Sequence, residues 1–287
     1  MQKRETNYNT EINKVVVRND FIEAIHPEKM DLKTMKLFRL VISQCRKVDK
    51  ELYAYEFKIT DLAKIIGVDS SNYYKDAQNM CINMMQMILK YGGGDLKQSW
   101  KLKHIFESCQ YDSRDGIITI ELHEDMSELL LRLDKKFTKI PISDVLMMKS
   151  KYAIRLYELI CEKMMDEQPH ADVSVCIQLT LDEIRKATGT ENKKAYEKIS
   201  NLKNKILIPA INDIEASTRK KDQEQFTGWK ILVRDLKRGR RVTGFELEIW
   251  DRNSYEVVER YKRTGESIPE SVRSQVNGQL TIYDYMD

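Results

Sequence analysis

The apolar residues of "MKLFRLVISQC", from Met35, recur at three- and four-residue spacing, the period of a helix with one buried face. "YAIRLYELICEKM", from Tyr152, carries the same pattern. Each is followed by a similar succession. "KITDLAKIIGV" from Lys58 and "TLDEIRKATGT" from Thr180 align at one fixed offset, which brings Ile59 onto Leu181, Asp61 onto Glu183, Leu62 onto Ile184, Lys64 onto Lys186 and Gly67 onto Gly189. The offset continues without a gap through Tyr74 and Tyr196, Met80 and Leu202, and Met84 and Ile206. One register across two helices points to a duplicated unit. It reads as a short helix, a turn and a longer helix, the second helices spanning 72–90 and 191–216. Thr180 with Glu183 forms a capping-box pattern, and Thr60 is placed to cap the first copy. Gly67 and Gly189 stand where a helix end needs the left-handed conformation. Pro209 should bend or interrupt its helix after Ile208, because it lacks an N–H and crowds the preceding turn.

Past each pair of helices the period falls to two. "WKLKHIFESCQY" and "GIITIELH" flank a turn at Asp112–Gly116, and "GWKILVRDL" and "RVTGFELEIW" flank a second turn around Gly239. Helix, helix-turn-helix and hairpin make a winged helix. The expected fold is therefore α+β and mostly helical, with two tandem winged-helix domains, residues 1–137 and 138–250. Beyond Trp250 the chain turns polar, and 251–287 reads as a flexible tail.

At 287 residues, 32% charged and 41% hydrophobic, the chain has the composition of a soluble globular protein. No run approaches the about 18 apolar residues of a membrane span, and "MQKRETNYNTEINK" lacks a secretion signal's apolar core. A cytoplasmic protein without a membrane partner is expected. The five cysteines show no CxxC spacing and read as reduced core thiols. The four histidines are scattered, so no metal and no other cofactor is expected.

The net charge of +3 names no partner, but its distribution does. From Arg219 to Arg241 nine Lys or Arg face three acids, and Arg234, Lys237, Arg238, Arg240 and Arg241 crowd the second turn. Like charges on one turn repel unless phosphates lie against them, as on a wing along double-stranded DNA. A merely solvated loop is the alternative, and the neighbouring helix weighs against it. Ala195, Ile199, Leu202 and Ile206 form its expected buried stripe. Lys194, Lys198, Asn201 and Lys205 form a second stripe, with Lys193, Ser200 and Asn204 further round. Lysine reaches phosphates or guanine, and asparagine pairs with adenine. The matching helix of the first copy has few cations, Lys75 and Lys90, and many apolar residues: Met80, Ile82, Met84, Met85, Met87, Ile88 and Leu89. Either it is well buried or it serves a protein interface, which methionine suits.

Several stretches resemble the replication initiators of iteron-controlled, theta-replicating plasmids, the RepA/RepB/RepE type. They are "FTKIPISDVLMMKSKYAIRLYELICEK", "LTLDEIRKATGT", "AYEKISNLKNKILIPAINDIEAST" and "KRGRRVTGFELEIW", which with the first copy cover residues 12–250. The most specific are Ser150, Tyr152, Arg155, Leu156 and Tyr157, and the "ILIPAINDI" segment. The resemblance implies that monomers bind direct repeats at an origin, that dimers formed through the first domain repress the initiator's own gene, and that host replication proteins are recruited. The tail "QLTIYDYMD" resembles the bacterial sliding-clamp-binding motif, with Gln279, Leu280, Ile282 and Tyr283 as its contacts. Either it is a tethered peptide ligand or it docks back on its own protein. No enzymatic activity is expected. There is no His-x-His for a metal-dependent nicking tyrosine, and "GGGDLKQSW" lacks the Gly-Lys-Ser/Thr ending of a phosphate loop. A dedicated winged-helix repressor remains the rival to an initiator.

Overall fold

A computed structural model of the chain describes residues 2–6, 8, 14–24, 30–46, 48–67, 72–92, 99–131, 133, 136–166, 174–222 and 225–264. Within them the repeated motif is visible as two helices of equal length, Ile59–Ile66 and Leu181–Thr188, each running straight out of a strand. Each ends on a left-handed glycine, Gly67 at φ 78° and Gly189 at φ 61°. Other residues pay a steric penalty there, so the chain can leave the helix axis sharply at both places. The chain folds as two units, Met1–Met147 and Met148–Asp287.

The first unit runs β1 (Lys3–Glu5), β2 (Lys14–Arg18), α1 (Asn19–Ala24), α2 (Leu32–Ile42), β3 (Ala54–Lys58), α3 (Ile59–Ile66), α4 (Tyr73–Met85), β4 (Ile88–Gly92), β5 (Trp100–His104), β6 (Phe106–Asp112), β7 (Ile117–Leu122), α5 (Ser127–Leu130), β8 (Phe137–Pro141) and α6 (Ile142–Met147). Its main sheet has the order β1-β3-β7-β6. Helix α2 starts where the Asp31 carboxylate accepts from the Thr34 N–H at 2.7 Å, and it buries Leu37, Phe38, Leu40 and Val41 completely. The β6–β7 hairpin is the first wing, turning through Gly116 at φ 64°.

Four expectations for this unit need correcting. The second helix stops at Met85 rather than continuing to 90. Met87 and Leu89 face inward while Ile88 and Lys90 face out, a period of two that extended chain satisfies and a helix does not. "WKLKHIFESCQY" is not one strand, because it breaks at Ile105. Its first half pairs with β4 and only its second half with β7. Thr60 caps nothing: the sheet bond from the Ile59 N–H to the Gly116 carbonyl (3.0 Å) carries β3 directly into α3, so the helix begins before the threonine. Strand β8 pairs with β2, and the division between units accordingly falls at Met147/Met148 rather than at 137/138.

The second unit runs α7 (Lys151–Asp166), β9 (Ser174–Thr180), α8 (Leu181–Thr188), a 3-10 turn (Lys194–Tyr196), α9 (Ile199–Leu202), a π-helical stretch (Lys203–Leu207), α10 (Ile208–Thr218), β10 (Lys220–Asp222), β11 (Gln225–Thr227), β12 (Trp229–Arg238), β13 (Arg241–Asp251) and α11 (Arg252–Thr264). Its sheet has the order β12-β13-β9. Tyr157 of α7 packs its ring 5.0 Å from that of Trp229, joining helix layer to sheet.

Here too the long helix differs from expectation. It begins at Ile199, not 191, and Ala195 is exposed rather than part of the buried stripe. Pro209 does not end it. The ring crowds the carbonyl four residues earlier, and the strain is absorbed upstream, where Lys203–Leu207 widen into π geometry before α10 continues to Thr218. Residues 252–264, expected in the flexible tail, form α11. Asp251 caps it, accepting from the Ser254 N–H at 2.9 Å, and Tyr255 stacks edge-on against Trp250. Residues 265–287, with Gln279, Leu280, Ile282 and Tyr283, lie outside the described residues. Of the cysteines only Cys45 and Cys161 are buried; Cys81 and Cys109 are half-buried and Cys176 is exposed, since the latter two sit on strands that alternate faces. Among the described residues no helix is long and apolar enough to cross a membrane.

Gly244 of β13 pairs with Thr180 of the neighbouring strand β9, where an added Cβ would come within 2.4 Å of the Leu179 carbonyl oxygen. Both groups are backbone, so neither can rotate away. Gly244→Ala should destabilise the protein by about 1–3 kcal/mol, read as a lower urea midpoint. An unchanged midpoint would show that β9 gives way freely.

Candidate nucleic-acid interface

The turn between α8 and α9 is held from both sides. On one side, the Thr180 hydroxyl accepts from the Glu183 N–H (3.1 Å) and the Glu183 carboxylate accepts from the Thr180 N–H (2.8 Å), the expected capping box. Lys163 of α7 pairs with the same carboxylate at 2.6 Å. Burial opposes the ionisation of Glu183, but the bonds from Lys163 and Thr180 outweigh it and hold its carboxyl below the usual range. Arg185 then reaches from α8 to the carbonyls of Tyr196 (3.4 Å) and Glu197 (3.3 Å). On the other side, the Asn201 amide donates to the Ala195 carbonyl at 2.8 Å. Residues 193–198 are thus strapped down by one side chain from each flanking helix.

This strap displays the lysines. Lys194 and Lys198 are exposed and Lys193 half-exposed, all on the turn rather than on a continuous helix. Ser200, Asn204 and Lys205 are exposed on the first turns beyond it, with Leu202 and Ile206 buried behind them. The amide of Asn201 is already engaged within the protein. Periodicity could not signal that role, nor Arg185's, because both depend on contacts between segments.

The wing is registered to this helix by Lys203, which pairs with Asp235 of β12 at 2.6 Å and lies over the Phe245 ring. Along the wing the cations divide into two groups. Arg234 faces Glu246 (3.4 Å) and Glu248 (2.5 Å) on β13, so its charge is matched within the sheet. Past a bulge between Leu236 and Lys237 the carboxylates stop. Lys237, Arg238, Arg240 and Arg241 are exposed around Gly239 (φ 62°), and among the described residues none has a carboxylate partner. Helix turn and wing tip each expose cations that can meet a polyanion, with hydrogen-bonding Ser200 and Asn204 following the turn.

The first unit repeats the frame with different chemistry. Met80 and Met84 of α4 are buried as Leu202 and Ile206 are, but the outward side shows Tyr74, Ile82 and Met85, exposed by 53%, 48% and 37%.

The family description "Initiator Replication protein, WH1" matches residues 14–161, more than half of the chain, and "Initiator Rep protein, WH2" matches 180–249. The chain belongs to this family of replication initiators. In the initiator, the second match takes in the strapped turn, the π stretch and the wing as far as Ile249. Among solved structures, the Pi initiator protein in complex with iteron DNA is similar, with a TM-score of 0.65 at 18% identity over 84% of this chain and 98% of that one. That likeness shows the shared fold. Domains 2 and 3 of RctB align with a TM-score of 0.44 at 12% identity, over 77% of this chain and 80% of that one.

Replacing Arg238, Arg240 and Arg241 with Ala should weaken the initiator's binding to every DNA sequence. The salt dependence should flatten by up to about 0.9 for each phosphate no longer neutralised, with thermal stability unchanged because all three are exposed. A salt slope equal to the parent's would reduce the wing tip to a solvated loop.

Proposed function

We propose that the initiator binds direct repeats at a plasmid origin through its second unit and thereby starts replication. The observation that carries this reading is the set of unmatched cations on two features of one unit, Lys193, Lys194, Lys198 and Lys205 by the strapped turn and Lys237, Arg238, Arg240 and Arg241 on the wing. The wing and turn hold phosphates and set orientation, while Ser200, Asn204 and Lys205 read base edges in the major groove. The iteron DNA bound by the similar Pi initiator supports repeats as the target. Footprinting on DNA flanking the initiator's own gene tests this. Several regularly spaced direct repeats are expected, each protected less when Asn204 and Lys205 are changed to Ala, at about 1–3 kcal/mol for each base edge left unread. A lone inverted repeat would make the protein a dedicated repressor instead.

The same protein represses its own gene as a dimer formed through the first unit. Ile88, Trp100 and Leu102 share the outward face of the β4–β5 hairpin, exposed by 44%, 61% and 46%, and clustered apolar exposure of this kind marks interaction sites. Trp100→Glu with Leu102→Glu should lower the dimer fraction in light scattering and increase repeat binding. A dimer fraction equal to the parent's would move the interface elsewhere. Host replication proteins are the remaining partners, with the sliding clamp engaged by Gln279, Leu280, Ile282 and Tyr283; absence of binding between the clamp and a peptide of residues 274–287 would remove it.

A further inference from the structure

Between α4 and the wing strand β6 of the first unit lies a groove of about 790 Å³, lined by Ile59, Ala77, Ile82, Met85 and Ile118. Two pairs of side chains line it as well. The rings of Tyr74 and Tyr111 meet at 5.8 Å. Two helical turns beyond Tyr74 on the same face of α4 stands Cys81, and two residues before Tyr111 on the same face of β6 stands Cys109. Both thiols line the groove, near enough for each to shift the other's ionisation. Both are half-buried, so a small reagent in the groove can reach them.

We propose that Cys81 and Cys109 form a hydroperoxide-sensitive dithiol that closes to an intramolecular disulfide and pins α4 to the wing strand. The chemistry needs one sulfur as the nucleophile and the other as the resolving thiol. The neighbouring Cys109 lowers the Cys81 thiol below its ordinary value despite burial, while Cys81, together with burial, pushes Cys109 up. Cys81 is therefore the sulfur that ionises first. Its thiolate attacks one peroxide oxygen: an S–O bond forms, the O–O bond breaks, and the other oxygen leaves as water once protonated. The Cys109 sulfur then attacks the sulfenic sulfur, the S–O bond breaks, and a second water carries away the Cys109 proton. Two thiols lose two electrons and the hydroperoxide gains them. The buried thiols do not share this setting. Cys45 is enclosed beside the Tyr55 hydroxyl, 3.1 Å away, and burial pushes it up to about 12, while Cys161 is closed into α7.

The test treats the full-length Cys176→Ser protein, which lacks the exposed thiol, with hydrogen peroxide, then alkylates and digests it with trypsin. The expected result is loss of two alkylatable thiols per chain and a reducible link between the peptides 76–90 and 104–114, found in monomeric protein. Hydrogen exchange across α4 should slow in the oxidised protein. Cys109→Ser should abolish the link and leave Cys81 as a sulfenic or overoxidised thiol. Should that variant not fold, the parent digest still decides, because any other cysteine pair yields different linked peptides. Four thiols still alkylatable after peroxide, or oxidation of Cys81 and Cys109 without a link, would overturn the dithiol. Unchanged exchange across α4 would overturn the pinning.

Discussion

Within the second unit, a buried charge fixes where the cation-bearing turn stands. Arg155, in the second turn of α7 and 2% exposed, is ion-paired with Glu158 one turn on and donates from its Nε to the Ala187 carbonyl at 3.2 Å. The last turn of α8, whose carbonyls have no partner within the helix, is thereby tied to α7. Removing one member of such a pair strands the other in a low-dielectric interior, at a cost of about 3–5 kcal/mol. Two further ties use the same helix. Lys163 holds the start of α8 through Glu183, and Asp213 of α10 accepts from the N–H groups of Lys149 and Ser150, each at 2.8 Å, where α7 begins. With α8 and α10 both referred to α7, the turn between them has little freedom, and its lysines keep their spacing despite mutual repulsion.

The duplicated frame was legible in the sequence wherever a residue type has a single conformational reason to be present. Gly67 and Gly189, the Thr180–Glu183 box and Gly239 all fall in this class. Hydrophobic period also located α2, α7 and the wing strands. It failed where contacts between segments override it. Ala195 keeps the spacing of a buried stripe, yet Arg185 and Asn201 draw its backbone into a turn and leave the side chain in water. Ile88–Gly92 continues an apolar helix on paper, but only a partner strand reveals that alternate residues belong to opposite faces. Helix α11 was hidden by its polarity, although Asp251 as a cap and Tyr255, Val258 and Tyr261 at spacing three were available signals.

The division of the wing cations was partly readable too. Once the turn is placed at Gly239, hairpin pairing sets Arg234 against Glu246, so its charge is accounted for, while the four residues nearest the tip face no acid. That separation matters more than the total charge. Matched charges fasten the sheet, and unmatched ones remain available to a polyanion. The two copies make the same point at a larger scale. Met80 and Met84 occupy the buried places of Leu202 and Ile206, so one set of core positions supports an apolar outward face in one unit and a cationic one in the other.

The widened turn before Pro209 separates two requirements that an uninterrupted helix would couple. In an α-helix each residue advances the face by about 100°, so the solvent-facing side chains of Ser200 and Asn204 and the core-facing ones of Ile211 and Ile214 would share one fixed phase. The five π-helical residues from Lys203 to Leu207 break that phase relation. A single-residue deletion or insertion inside them would rotate the exposed half while the core half stayed seated. The segment is thus a place where a lineage of such proteins could re-aim its outward side chains without rebuilding the interior that holds them.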